Sequence, residues 1–207
     1  MKASRVLAQI GLGAAVMVLS ASAPATADEQ TVAKLGEPAP NFTLVDTNGR
    51  TRTLSEYAGK IVVLEWFNTQ CPVVQKCYRS KSIQTANEKV RELDKSIVWL
   101  AVNSTASTSA GENTMWIKKF DLGYPILLDL DGTVGHQFDA RRTPHMFVID
   151  KKGILRYHGA IDNNAFGDKK LDEATNYVVN AVRQIVEGET VAPDYIKPYG
   201  CSVKYRN

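Results

Sequence analysis

Lys60-Ile-Val-Val-Leu-Glu-Trp-Phe-Asn-Thr-Gln-Cys-Pro-Val-Val-Gln-Lys-Cys77 decides the fold. The apolar, β-branched run from Ile61 to Leu64 reads as a buried strand that ends at Trp66-Phe67-Asn68. Cys71-Pro72 then opens a helix, because proline lacks an N–H and its preset φ suits the first helical position. Cys71 therefore stands at or beside the N-cap. Free backbone N–H groups and the helix dipole favour an anion there, so this thiol ionises more readily than a free cysteine. The competing reading is a small buried core residue, the commoner fate of cysteine. The fixed position before Pro72 favours the reactive reading.

Upstream, residues 41–45 and 51–54 read as a hairpin around the Asn48-Gly49 turn, and residues 55–59 as a helical turn closed by glycine. Downstream, one helix is expected from Pro72 to about Asp94, although Tyr78, Ile83, Ala86 and Val90 make only a rough apolar stripe. Residues 96–103 are the next buried strand, followed by a Ser/Thr/Gly-rich loop and a short helix over 113–121. A strand at 125–128 and a brief helix at 133–138 come next. Thr143-Pro144 precedes a strand that turns at Lys151-Lys152-Gly153 into residues 154–158, the clearest antiparallel hairpin. Leu171, Ala174, Val178, Ala181, Val182 and Ile185 carry the clearest helical period. Residues 188–207 read as a polar, flexible tail that carries Cys201. The pattern is an α/β protein with a mixed central sheet, and Cys71 lies at the carboxyl end of a central strand, where open α/β folds place their sites.

The chain opens with a basic n-region (Lys2, Arg5), an apolar h-region from Val6 to Leu19 and small residues ending at Ala25-Thr26-Ala27. This is expected to be a signal peptide over residues 1–27, cleaved before Asp28, which makes the protein periplasmic or secreted; the alternative is an uncleaved anchor. The remaining 180 residues suffice for one well-cored domain, expected over 35–187. Loss of Lys2 and Arg5 lowers the net charge from +3 to +1, a balance that argues against nucleic acid as a partner. Three cysteines in an oxidising compartment leave at least one thiol unpaired within the chain, which suits redox chemistry better than a stapled scaffold.

These residues resemble the thioredoxin fold, and within it the redoxin branch that groups peroxiredoxins with periplasmic thioredoxin-like proteins. The resemblance rests on Phe42-Thr-Leu-Val-Asp46 with Gly49, Leu54-Ser-Glu-Tyr-Ala-Gly-Lys60, Val62-Val-Leu64 and Phe147-Val-Ile-Asp-Lys-Lys-Gly153. A subgroup pattern adds Glu65 to Pro72, Thr143 to Asp150, Gly159 to Asp162 and Pro198 to Tyr205. It implies a thioredoxin-like fold with an N-terminal β-hairpin extension and a nucleophilic Cys71 followed by Pro72. It also implies a cis-proline loop at Thr143-Pro144 beside that sulfur, and Glu65 as the buried acid that handles protons. An exposed strand-end glutamate is the other reading of Glu65.

The departures from the family matter. Position 74 is Val, so Cys71 lacks the partner of a Cys-x-x-Cys pair. Asn68 and Leu64 stand where peroxiredoxins carry Thr and Pro, and Pro144 stands where their Arg is expected, which puts fast peroxidase chemistry in doubt. Asn68, Thr69 and the first-turn N–H groups can polarise a substrate oxygen or sulfur, or only cap the helix. Cys77 lies six residues on, about 9 Å along a regular helix, beyond the roughly 7 Å that a disulfide spans, so an inert Cys77 is favoured; the alternative is a Cys71–Cys77 pair formed by unwinding of the first turns. Cys201 in a mobile tail can reach an oxidised Cys71, and the tail motif belongs to the same subgroup; a structural tail cysteine is the alternative.

The expected function is that of an exported thiol oxidoreductase. Cys71 attacks a disulfide or peroxide and is resolved by Cys201 or by an external thiol. Its partners are oxidised protein thiols or small peroxides, with an external thiol reductant; no cofactor and no metal are expected, and no oligomeric state follows. The alternative is a non-catalytic thioredoxin-like binding module or copper chaperone. His145 lies near Cys71 in that reading, but the spacing of Cys71 and Cys77 puts their sulfurs on different helix faces. His158 is expected at the surface and His136 at a helix edge.

Overall fold

A computed structural model describes residues 32–165 and 167–206. The expected signal segment, residues 1–27, lies outside the described residues. The hairpin forms as β1 (Thr43–Asp46) and β2 (Thr51–Thr53), followed by a 3-10 turn at Leu54–Tyr57. β3 (Val62–Trp66) follows, then α1 (Pro72–Arg79), α2 (Ser82–Leu93), β4 (Val98–Asn103) and α3 (Ala110–Phe120). β5 (Ile126–Leu128), α4 (Thr133–Gln137), β6 (Arg142–Thr143), β7 (His145–Ile149) and β8 (Leu155–Gly159) come next. The chain closes with α5 (Tyr177–Glu187), β9 (Tyr195–Ile196) and β10 (Cys201–Ser202).

The main sheet runs β2-β1-β5-β4-β3-β7-β8-β9, with β3 at its centre. Leu64 of β3 lies opposite Leu100 of the parallel β4 and Phe147 of the antiparallel β7. Every β3 residue is buried because both faces of the sheet are covered, which explains an apolar run without alternation. Ile61, Val63 and Phe67 join Tyr78, Ile83, Val90, Val178 and Val182 on one side. Val62, Leu64 and Trp66 join Leu127, Phe138 and Phe147 on the other. Full burial of each such side chain stabilises the fold by roughly 1.5–3 kcal/mol. The result is the thioredoxin-like arrangement with an N-terminal hairpin at one edge.

Three elements differ from expectation. The helix from Pro72 is two helices, broken at Ser80 and at Lys81, whose φ of 62° is left-handed. Ser80 Oγ donates to Cys77 O at 3.1 Å and Gln84 Nε2 to Tyr78 O at 3.2 Å, so side chains satisfy the carbonyls that the break frees. The apolar stripe was rough because it is two stripes with different phase: Val74, Cys77 and Tyr78 on α1, then Ile83, Ala86 and Val90 on α2. The last helix starts only at Tyr177, where Asn176 caps it by accepting from Val179 N–H at 3.0 Å, and Leu171 is exposed. Finally, the tail is not free: β9 adds to β8 in parallel, and β10 pairs with β6.

Candidate active site

Cys71 is the N-cap residue of α1, with Pro72 in the first turn, as the sequence requires. Its Sγ lies 3.2 Å from Thr143 O, and the Thr143–Pro144 peptide is cis. Antiparallel pairing of β6 with β10 sets Cys201 directly opposite Thr143. Cys71, Thr143, Pro144 and Cys201 thus meet at one point, and all three cysteines of the chain are free thiols. Cys71 is only 2% exposed.

Two protonation states of Cys71 have different partners. The thiol donates to Thr143 O. The thiolate is favoured by nearby donors on Cys201, Thr143 and Val74, although Cys71 makes no side-chain capping hydrogen bond in α1. Burial alone pushes this thiol up, but those donors outweigh it, the Cys201 thiol first among them, and hold Cys71 below its ordinary 9.0. Cys201 moves the other way, raised by burial and by the sulfur of Cys71, while Lys204 and Arg142 pull it down.

Glu65 is fully buried and is not a strand-end surface residue. Its carboxylate accepts from Tyr78 OH at 2.8 Å, Trp99 Nε1 at 3.0 Å and Tyr124 OH at 3.5 Å, and Tyr78 and Tyr124 are 3.2 Å apart. Burial pushes it up to about 7 against those hydrogen bonds. It sits under α1 with no hydrogen bond to Cys71 or Cys201 among the described residues.

Asn68 and Thr69 build the turn ahead of the helix. Asn68 Oδ1 accepts from Gln70 N–H at 2.8 Å and Asn68 O from Cys71 N–H at 3.0 Å. The Thr69 hydroxyl donates to Glu112 in the first turn of α3, and Thr69 O accepts from Gln75 Nε2 at 2.9 Å. Glu112 and Gln75 are site residues that the sequence reading missed. Ser109 caps α3 at Glu112 N–H, a spacing readable in sequence, but nothing there says that Glu112 faces Thr69.

Asp162 was also missed. It accepts from Ser82 Oγ at 2.7 Å and Tyr199 OH at 2.5 Å, tying α2 to the segment just before Cys201. Cys77 is buried beside this group. Burial and Asp162 push its thiol up to about 12, which leaves it protonated and inert at neutral pH.

His145 does not approach Cys71. It lies opposite Trp66 on the other face of the sheet, packed on Phe147, with its Nδ1 accepting from Arg141 N–H at 3.3 Å. Its Nε2 is 3.3 Å from Nδ1 of His158, which is half-buried where a surface residue was expected. His136 stacks on Tyr205 with ring centroids 4.1 Å apart. Among the described residues no group of three or more His, Cys, Asp or Glu could hold a metal ion. Arg141 is exposed and paired with Asp139 at 2.7 Å, and Arg142 is exposed on β6. No helix of the described residues is long and apolar enough to cross a membrane.

The sequence model of the AhpC/TSA family matches residues 35–158. Thiol-disulfide oxidoreductase ResA of Bacillus subtilis (strain 168) is 33% identical over 118 residues, 57% of this chain and 63% of that protein. The match thus spans slightly less than two thirds of that relative's length. Chloroplastic peroxiredoxin Q of Triticum aestivum is 29% identical over 156 residues, 70% of this chain and 66% of that protein. A hypothetical protein of Sinorhizobium meliloti 1021 has the same fold, with a TM-score of 0.71 and 23% identity over 84% of this chain and 95% of that one.

Proposed function

The chain belongs to the AhpC/TSA family, and from that premise we propose that it is an exported thiol–disulfide oxidoreductase acting through Cys71 and Cys201. The observation that carries this reading is that β6–β10 pairing holds Cys201 opposite Thr143, the residue whose carbonyl lies 3.2 Å from the Cys71 sulfur, so that each thiol shifts the acidity of the other. Residue 201 lies beyond the segment matched by the family model, so this pairing rests on the geometry of this chain.

The Cys71 thiolate attacks one sulfur of a substrate disulfide. A mixed disulfide forms and the other substrate sulfur leaves as a thiolate. Cys201 then attacks Cys71 Sγ, the second substrate thiolate leaves, and a Cys71–Cys201 disulfide remains. Two electrons have passed from the pair to the substrate, and an external dithiol restores them. The donors near Cys71 on Val74 and Thr143 favour the attacking thiolate, Thr143-Pro144 walls the groove, and Glu65 holds an exchangeable proton beneath α1. Asn68 and Thr69 keep the turn that aims Cys71. Export follows from the n-, h- and small-residue pattern of residues 1–27.

Reduction of a small peroxide is the second reading, favoured by the 2% exposure of Cys71, which a small oxidant reaches more readily than a large one. There the thiolate attacks one peroxide oxygen, the O–O bond breaks and the other oxygen leaves as hydroxide or alkoxide, giving a sulfenic acid on Cys71; condensation with the Cys201 thiol then forms the disulfide and releases water.

The test is trapping. The reduced protein receives one equivalent of a small disulfide or of hydrogen peroxide, is quenched with an alkylating agent, and its cysteines are mapped by peptide mass. A Cys71–Cys201 disulfide with Cys77 alkylated is expected. Cys71 fully alkylated after either oxidant, or a disulfide to Cys77, overturns the reading. The relative rates decide between the two oxidants.

A further inference from the structure

The backbone edge beside Cys71 is where an extended polypeptide would be read. β6 is two residues long, directly precedes Pro144, and its Thr143 O touches Cys71 Sγ. A strand edge next to a reactive sulfur is a template for antiparallel addition of another segment. In this protein the edge is already taken by the chain's own C-terminal residues.

The fit is close along its whole length. Cys201 and Ser202 pair with Thr143 and Arg142. Val203 N–H donates to Arg141 O at 3.3 Å, and Lys204 O accepts from Ala106 N–H at 2.9 Å. At Gly200, where φ is 103°, a Cβ would lie 2.2 Å from Thr143 O, so only glycine permits this approach. The Tyr205 ring closes the far end. A Cβ on Gly132 or Gly135 would meet that ring within 2.6 Å, its face stacks on His136, and its hydroxyl donates to Ala140 O at 2.7 Å. Tyr199 anchors the near end on Asp162.

We infer that residues 199–205 are a built-in occupant of the polypeptide-binding edge: with the tail docked, Cys71 is open to small oxidants only, and an extended protein disulfide enters when the tail lets go. This rests on the reading of Cys71 as the reactive thiol. Cys201 sits on the strand as the cysteine of an added polypeptide would sit, opposite Thr143, whose carbonyl touches the Cys71 sulfur. The tail is tethered, so it competes at an effective concentration of about millimolar, against which a peptide at micromolar concentration loses.

The experiment isolates the first attack in a Cys201→Ser background. Two probes share one leaving group: dithiodipyridine, and an extended peptide whose central cysteine is carried as the thiopyridyl disulfide. Thiopyridone release gives both rates. Tyr205→Ala is added in one variant and residues 198–207 are deleted in another, with circular dichroism to confirm folding. Tyr205 lies outside the sheet and the sulfur site, so its variant serves if the deletion does not fold. The ratio of peptide rate to small-probe rate is expected to rise about tenfold or more when the tail is released. An unchanged ratio overturns the proposal and leaves the oxidoreductase reading standing. No reaction with dithiodipyridine in any variant overturns both.

Discussion

Glu65→Gln is expected to gain stability relative to the wild type as pH rises. Glu65 is fully buried on β3, and burial carries its carboxyl from 4.5 up to about 7 despite the hydrogen bonds from Trp99, Tyr78 and Tyr124. Between those two values the folded protein keeps a proton that the unfolded chain has released. Its contribution is complete below 4.5 and is lost as pH rises through 7. A rise of that size corresponds to roughly 3 kcal/mol once both states are ionised. Glutamine has nearly the same shape and does not titrate. Its oxygen can accept from Trp99 Nε1 and its amide can donate to the Tyr78 hydroxyl, so both polar atoms keep a partner. The difference in unfolding free energy between variant and wild type should therefore move in favour of the variant by roughly 2–3 kcal/mol between about pH 5 and about pH 8. Urea unfolding of the reduced proteins at both pH values reads this directly. Other titrating groups, His145 among them, act equally in both proteins and cancel in the difference. Parallel stability curves would refute the argument, because they would mean that the hydrogen bonds outweigh burial and Glu65 is ionised throughout.

Cys201→Ala should shift the pH profile of Cys71 alkylation upward, since the variant removes the S–H that holds the Cys71 thiol down; an unmoved profile in a rate-versus-pH measurement counts against the contact. Gly200→Ala places a Cβ 2.2 Å from Thr143 O and should loosen the tail, costing roughly 1–3 kcal/mol and exposing the segment after Lys197 to protease. Wild-type resistance in that variant would show that the edge can yield. His145 is held neutral by burial and by His158, down to about 3. Its contribution is present above its ordinary 6.5 and is lost as pH falls toward 3, about 2 kcal/mol by pH 5. His145→Asn keeps an acceptor for Arg141 N–H and should flatten that acid limb in denaturant titrations; an unchanged limb rules His145 out as its source.

What the sequence disclosed was local. Cys71-Pro72 fixes a helix start by the chemistry of two residues, and the run from Ile61 to Leu64 marks a doubly covered strand because nothing polar interrupts it. The break at Ser80-Lys81 was hidden because neither residue is a glycine or proline. Only the phase jump between Tyr78 and Ile83 betrays it, five residues where a continuous helix wants three or four. β10 and β6 are two residues each, too short for any periodicity, so the docking of the tail was illegible and the segment read as free. Glu112 and Asp162 reach the site across the fold, from α3 and from the loop after β8. Contacts of that kind have no signature in a single chain. Glu65 was legible as a position by resemblance, while its burial depends on Trp99 of β4, Tyr78 of α1 and Tyr124 of the loop before β5.

The unequal environments of the two thiols give the proposed cycle its order. Cys71 is lowered by donors and Cys201 is raised by burial and by the Cys71 sulfur itself, so the first attack falls to Cys71. Once Cys71 is in a mixed disulfide its sulfur no longer carries charge. What then remains near Cys201 is burial on one side and Lys204 and Arg142 on the other, and the two cations favour its thiolate. The second thiol therefore becomes a better nucleophile only after the first has reacted. In a Cys-x-x-Cys helix the partner sulfur rides on the same rigid turn; here that slot is Val74, 1% exposed in the core, and the partner rides on β10, the strand proposed to leave. Departure of the strand removes the resolving thiol at the moment the edge opens to a polypeptide. A mixed disulfide formed with a polypeptide should thus persist until residues 199–205 return, and their return both displaces the guest strand and cleaves its bond to Cys71.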